Sequence, residues 1–292
     1  MTRLPAMVGV LGGGRMGAGI AHAFVIAGST VRVVERDESQ AAGALDRVMS
    51  ALASSVNRGR ADESLEALRS RVEIGADDAL FDDCELVIEA VPEEFELKAA
   101  SLKRIEARVG SQIPIASNTS SLSIDSLAGC LRFPGRFLGL HFFNPVPASG
   151  LVEIVIGAAT EPSVVADAQR WVAALGKTAV TVQDSPGFAS SRLGLILGLE
   201  AIRMLEEGVA SAADIDAAMV LGYRFAVGPL RLTDIVGLDV RLGIAEYLHS
   251  QLGERFAPPQ LLRDKVAAGE LGRKTGSGFF MWHDDLSQEG TR

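Results

Sequence analysis

Of four histidines in the chain, His22, His141, His249 and His283, one stands where acid–base chemistry can be built. His141 lies in the apolar run Phe137-Leu138-Gly139-Leu140-His141-Phe142 and is followed by Asn144 and a proline-rich turn. Glu153 lies 12 positions later, within a second apolar run, Val152 to Ile156. If the two runs form an antiparallel hairpin centred on Pro147, residues whose numbers sum to 294 face one another, and His141 is paired with Glu153. Directly opposed residues have Cβ atoms roughly 4.5–5.5 Å apart, so the two side chains can touch. A carboxylate beside an imidazole fixes its tautomer, raises its proton affinity and stabilises imidazolium, as general acid–base work near neutral pH requires. A histidine alone in an apolar strand reads equally well as a satisfied core residue; the paired glutamate favours chemistry.

A second constellation is Gly12-Gly13-Gly14-Arg15-Met16-Gly17, with Gly12, Gly14 and Gly17 at the G-x-G-x-x-G positions. That spacing is weak evidence in a chain with 31 glycines. Its context strengthens it: the strand-like run Val8 to Leu11 precedes it, a helical stretch from Arg15 to about Ala27 follows, and Glu35 ends the next strand, 23 positions after Gly12. Gly12 makes the tight turn, Gly14 lets the backbone approach a pyrophosphate, and Gly17 lets the helix pack on the sheet. Amides at the helix start, in the turn carrying Arg15 and Met16, receive negative charge. Glu35 accepts from the adenosine ribose hydroxyls and repels a 2′-phosphate, which favours NAD over NADP; Arg36 weakens that preference without reversing it.

These residues must be positioned by alternating strands and helices. Val31–Val34 reads as a second strand, 39–71 as a long amphipathic Ala-rich region, 85–88 as a strand, 93–109 as a helix and 113–116 as a strand; 179–182 is the last strand. The breaker cluster Gln183-Asp184-Ser185-Pro186-Gly187 is a linker, after which only helices are expected, at 188–207, 212–221, 231–252 and 259–268. The expected fold class is α/β, a Rossmann-type doubly wound, mostly parallel sheet over residues 1–184, followed by a smaller all-helical domain over 185–292. A length of 292 residues agrees with two domains.

Composition narrows the function classes. With 28 Lys+Arg against 37 Asp+Glu and a formal charge of −9, the chain is no nucleic-acid coat or anionic-membrane binder. The same balance taken alone argues against anionic ligands; the glycine-loop amides and a few placed cations outweigh it, because net charge describes the solvated surface. Two cysteines, Cys84 and Cys130, are too few for a disulfide framework and offer no paired metal-ligand spacing, so no metal and a cytoplasmic location are expected. No signal peptide is read at the amino terminus, and the apolar stretch 193–202 falls far short of the roughly 20 residues a membrane span needs.

Five ordered segments carry a family resemblance: Gly12 to Gly19, Ser117-Asn118-Thr119-Ser120-Ser121, His141-Phe142-Phe143-Asn144-Pro145, Leu151-Val152-Glu153 and Leu271-Gly272-Arg273-Lys274-Thr275-Gly276. Together they resemble the L-3-hydroxyacyl-CoA dehydrogenases, the 3-hydroxybutyryl-CoA dehydrogenases most closely. The resemblance implies that His141 is the general base taking the 3-hydroxyl proton while hydride passes between C3 of an acyl-CoA and NAD, with Glu153 orienting the histidine. It implies Ser120 as a hydrogen-bond partner of the substrate oxygen close to the nicotinamide, and Glu93, Lys98, Asn144 and Lys274 as further NAD contacts. Arg58 falls near a basic position that touches the CoA nucleotide. The resemblance also implies a role in fatty-acid and lipid metabolism, a substrate-binding and dimerising role for the helical domain, and a homodimer. One position departs: before Arg192 the family usually has asparagine, whereas Ser191 stands here, with a shorter reach toward the substrate carbonyl. Two other readings stay open, a dehydrogenase of free hydroxy or sugar acids like the gulonate dehydrogenases and a non-catalytic NAD-binding sensor. The hydroxyisobutyrate-type dehydrogenases use a lysine early in the interdomain helix, and no lysine occurs between Lys177 and Lys265.

Overall fold

The computed structural model describes residues 4–282, and His283 lies outside them. The chain forms two compact units that divide between Ser185 and Pro186. In the first, strands and helices alternate as β1 (Met7–Leu11), α1 (Arg15–Ile26), β2 (Thr30–Val34), α2 (Glu38–Asn57), α3 (Leu65–Arg69), β3 (Val72–Gly75), β4 (Leu86–Glu89), α4 (Phe95–Arg108), β5 (Ile115–Ser117), α5 (Ile124–Ala128), β6 (Phe137–Phe142), β7 (Leu151–Ile156), α6 (Pro162–Ala174) and β8 (Thr178–Gln183). The eight strands form one sheet in the order β3-β2-β1-β4-β5-β6-β7-β8. All neighbours are parallel except β6 and β7. Val8, Val10, Leu86, Ile88, Leu138 and Leu140 have essentially no exposed surface, as expected of central strands covered on both faces.

The turn between β1 and α1 depends on missing side chains. Gly12 has φ +95°, and a Cβ at Gly17 would lie 1.7 Å from the Gly12 carbonyl oxygen, so no other residue lets the helix start this close to the strand. Three elements were not read from the sequence, β3, the short helix α5 and α6. The edge strand β3 is a short run after Arg71, which the long amphipathic region 39–71 overshadows; that region is itself broken after Asn57, where Gly59 takes φ +65°. Helix α6 begins on Pro162, whose fixed φ suits a first helical turn, and buries Val164, Ala168, Trp171 and Val172 on one stripe.

The second unit is helical: α7 (Ser190–Glu206), α8 (Ala212–Ala217) continued by a π turn at Ala218–Gly222, α9 (Pro229–Val236), α10 (Leu238–Leu252) and α11 (Gln260–Ala267). The single helix expected over 231–252 is two, because Gly237 with φ +106° breaks it. Buried Asp216 caps α9 from outside, accepting from the amides of Leu230 and Arg231 at 2.8 and 2.9 Å. Asp234, with no exposed surface, accepts from the Phe279 and Phe280 amides and the Trp282 indole, tying the last described segment to α9. No described helix is long and apolar enough to cross a membrane. Both cysteines are free, and burial pushes the Cys84 thiol up to about 12, which makes it unreactive.

His22 on α1 is buried with its Nε2 2.8 Å from the Ser55 hydroxyl of α2. Burial, reinforced by the charge of Lys177, pushes its imidazole down from 6.5 to about 4. Above pH 6.5 the ring is neutral in both folded and unfolded chains; below it the unfolded chain takes up a proton that the folded chain refuses. Stability is therefore lost as pH falls from 6.5 toward 4, by about 3 kcal/mol from this group. His22→Gln, which cannot titrate, should show a shallower fall in melting temperature over this window than wild type; equal slopes would refute the assignment.

Candidate functional site

The β6–β7 hairpin places His141 directly opposite Glu153, the register expected from the sequence. The imidazole Nδ1 lies 2.8 Å from Glu153 Oε2, and the glutamate has no exposed surface. The ring also packs against Phe143, with centroids 4.4 Å apart. The following segment is held from several directions. Asn118 Oδ1 accepts from the Phe142 amide at 2.9 Å, and Lys177 Nζ donates to the carbonyls of Val146, at 2.7 Å, and Ser149. Gly19 on α1 lets Val146 pack within 2.9 Å of where a Cβ would be. The sequence reading did not assign Lys177 to the site; a lysine that donates to main-chain carbonyls 28 and 31 residues away leaves no local signal. Burial holds its ammonium below the usual lysine range.

At the ends of β4 and β5 stands a charged cluster. Glu89, fully buried, accepts from Lys98 Nζ at 2.8 Å, from the Val91 amide at 2.7 Å and from the Ser117 hydroxyl. Lys98, only 1% exposed, also donates to the Val91 carbonyl at 3.0 Å and lies 3.4 Å from Glu93 Oε2. The opposite oxygen of Glu93 receives the hydroxyls of Thr119, Ser120 and Ser121 and the amides of Ser120 and Ser121, at 2.7–3.2 Å. Burial raises the Glu93 carboxyl, but the Lys98 charge and these hydrogen bonds outweigh it and hold it below the ordinary carboxylate range. Expected as an NAD contact, Lys98 is instead enclosed by protein oxygens. It is neither a solvated charge nor an open cation.

The glycine loop offers the donor set and the space that a dinucleotide requires. Gly14 begins α1 in extended geometry with no side-chain cap, a Cβ there would meet nothing within 4 Å, and no acidic residue occupies the first turn, where Arg15 and Met16 lie. Open amides at a helix start suit a pyrophosphate. Glu35 closes β2 as expected, and its Oε1 also accepts from the Gly13 amide at 2.7 Å, which leaves lone pairs for ribose hydroxyls.

Beside the loop, a groove of about 550 Å³ runs between α1, α2 and the segment Asn144–Pro147. Its cations are Arg15 and Arg47. Arg58, expected to meet the CoA nucleotide, caps the end of α2 one turn beyond Ser54, the last α2 residue lining the groove, and does not itself line it. Arg47 was missed because a lone arginine in an amphipathic helix reads as a solvated charge.

Two expected site residues belong to the helical unit. Ser191 is in the first turn of α7, where the Arg192 amide donates to the Gly187 carbonyl at 2.8 Å. Lys274 Nζ donates to both carboxylate oxygens of Asp239 at 2.6 Å.

A glycine turn and an open helix start after β1, an acidic residue closing β2, and an imidazole–carboxylate pair at the end of β6 define a nicotinamide-dinucleotide oxidoreductase. The chain belongs to the 3-hydroxyacyl-CoA dehydrogenase family: residues 7–185 match the model of its NAD binding domain and residues 187–282 that of its C-terminal domain. It is 39% identical over 280 residues to a probable 3-hydroxybutyryl-CoA dehydrogenase of Bacillus subtilis, covering 95% of this chain and 98% of the relative. It is 37% identical to the mitochondrial hydroxyacyl-coenzyme A dehydrogenase of Sus scrofa, covering 94% of this chain and 90% of that protein. The crystal structure of (S)-3-hydroxybutyryl-CoA dehydrogenase from Ralstonia eutropha superposes with a TM-score of 0.92 at 37% identity, covering 96% of this chain and all of the other.

Removing one partner of a buried ion pair leaves an uncompensated charge at a cost of about 3–5 kcal/mol. Lys98→Met should therefore lower unfolding stability by that order in denaturant titration. A variant that raises only the KM for NADH at unchanged stability would restore Lys98 to the role of a plain cofactor contact.

Proposed function

We propose that the protein is an NAD-dependent dehydrogenase of short-chain (S)-3-hydroxyacyl-CoA esters, interconverting 3-hydroxyacyl-CoA and 3-oxoacyl-CoA. The observation that carries this reading is the His141–Glu153 contact, in a chain whose residues 7–185 and 187–282 match the two domains of this family. Gly12 and Gly17 shape the turn in which Gly14 and the amides of Arg15 and Met16 would hold the pyrophosphate, and Glu35 would hold the adenosine ribose. Bound nicotinamide supplies the acceptor for the hydride that leaves C3 of the substrate. His141 takes the 3-hydroxyl proton on its ring nitrogen remote from Glu153, because Nδ1 is committed to that carboxylate. Glu153 keeps the ring oriented and stabilises the positive charge it acquires.

Ser120 hydrogen-bonds the substrate oxygen, and Glu93 lines the nicotinamide end with Ser120 beside it. Lys98 acts through Glu93, fixing its carboxylate, while Asn144 borders the groove that receives the acyl-CoA. For the helical unit the reading assigns Ser191 as a substrate-carbonyl donor and Lys274 as a further cofactor contact. The setting is short-chain fatty-acid metabolism in the cytoplasm, in keeping with two unpaired thiols.

The test is NADH oxidation with acetoacetyl-CoA, set against free acetoacetate and gulonate. Turnover of the thioester above both free acids is expected, and His141→Ala should lower kcat by about 10³-fold, within the range for loss of a general base. Preference for a free acid, or unchanged turnover in the variant, would overturn the reading.

The helical unit supports a homodimer. Leu193, 62% exposed, and Leu197 lie one turn apart on α7; Leu232 and Val236 repeat that spacing on α9, and Val240 follows on α10. Exposed apolar rows mark interaction surfaces, and the reading assigns a second copy of the chain to this one. Light scattering should give a dimer mass for the wild type and a monomer mass for Leu193→Glu/Leu197→Glu; a monomeric wild type or an unaffected variant would refute it.

A further inference from the structure

Gly13 is restrained through both of its main-chain polar groups. Its N–H donates to Glu35 Oε1 at 2.7 Å and its C=O accepts from Arg47 Nε at 2.9 Å. The restraint from α2 is steric as well, because a Cβ at Gly13 would lie 2.4 Å from the Ala44 Cβ. Arg47 thus reaches the nucleotide loop with the inner nitrogen of its guanidinium. The two outer nitrogens lie over Gly43, 3.5 and 3.7 Å from where a Cβ would be, and neither donates to a protein acceptor among the described residues. Arg47 also lines the groove beside Asp46, Ser50 and Ser54, and the far wall of that groove is Asn144–Pro147, the segment that follows His141. One side chain therefore holds the dinucleotide loop by its Nε and also lines the groove.

We propose that Arg47 is a positioning residue that couples the two binding sites, so that acyl-CoA in the groove strengthens the hold on NAD and NAD strengthens the hold on acyl-CoA. This rests on the functional reading above for the identity of the groove's occupant. The physical cause is ordering. An arginine on a helix surface has many rotamers, and only those that reach the Gly13 carbonyl restrain the loop. A ligand that packs against or hydrogen-bonds the outer nitrogens confines the side chain to that subset. The glycine loop then meets the pyrophosphate already ordered, and the second ligand loses less conformational freedom on binding. Linkage requires the coupling to be equal in both directions. Lysine cannot reproduce it in full, since a single ammonium lacks the fork that serves the loop and the groove together.

The experiment is an NADH fluorescence titration with and without saturating coenzyme A, which lacks the acyl group and so binds without turnover. In the wild type coenzyme A should tighten NADH binding about fivefold, at the lower end of allosteric couplings, and NADH should tighten coenzyme A by the same factor. Arg47→Met should reduce the factor to about one, and Arg47→Lys should leave an intermediate value. A factor of one in the wild type, or equal factors in wild type and Arg47→Met, would overturn the proposal. Turnover of acetoacetyl-CoA by the same wild-type preparation tests the functional reading separately, so loss of coupling with intact turnover counts against Arg47 alone.

Discussion

A carboxylate with no exposed surface needs a partner that repays its lost hydration, and Glu153 finds one because the chain reverses direction between β6 and β7. Every other neighbouring pair in the sheet is parallel. Parallel neighbours require a crossover of a dozen or more residues, so two groups only 12 positions apart can face one another across strands only in a hairpin. From that reversal follow the position of His141 at the end of a buried strand, the tight segment after it and the carbonyls that Lys177 collects. The adjoining Glu89–Lys98–Glu93 cluster obeys the same rule of buried charge. Each member is tolerable only with the others present, which keeps Thr119, Ser120 and Ser121 gathered on Glu93.

Features written in local spacing were legible from the sequence. The glycine turn, Glu35 at the end of β2 and the His141–Glu153 register all follow from counting positions, and the structure has each. The Pro and Gly cluster puts a break after Asp184 in the sequence, and the two compact units divide one residue later, between Ser185 and Pro186. What escaped depends on burial and on distant contacts. A lysine three residues into α4 gives no sign that it is enclosed by two glutamates, and Arg47 gives no sign that it bends back to a carbonyl 34 positions earlier. Gly237 was visible as a residue, but its positive φ was not, so one helix was read where there are two. Helix α6 went unassigned between two strands, although its apolar stripe has helical spacing. The net charge of −9 is a poor guide to ligands, because it sums over a solvated surface while recognition is set by a few amides and cations in one place.

The double engagement of Glu35 has an evolutionary consequence. The carboxylate proposed to meet the ribose is also the acceptor for the Gly13 amide, so on that reading cofactor selectivity and the shape of the turn would be written on one side chain. A lineage drifting toward the phosphorylated cofactor cannot arrive by replacing this glutamate alone: the repulsion would vanish, but so would the support of the turn, and grip would fall together with discrimination. A viable path needs a second change first, one that holds the Gly13 amide by other means. On the same reading the preference would be historically sticky, and permissive changes would be sought on α2, which already packs against the turn through Ala44 and Arg47.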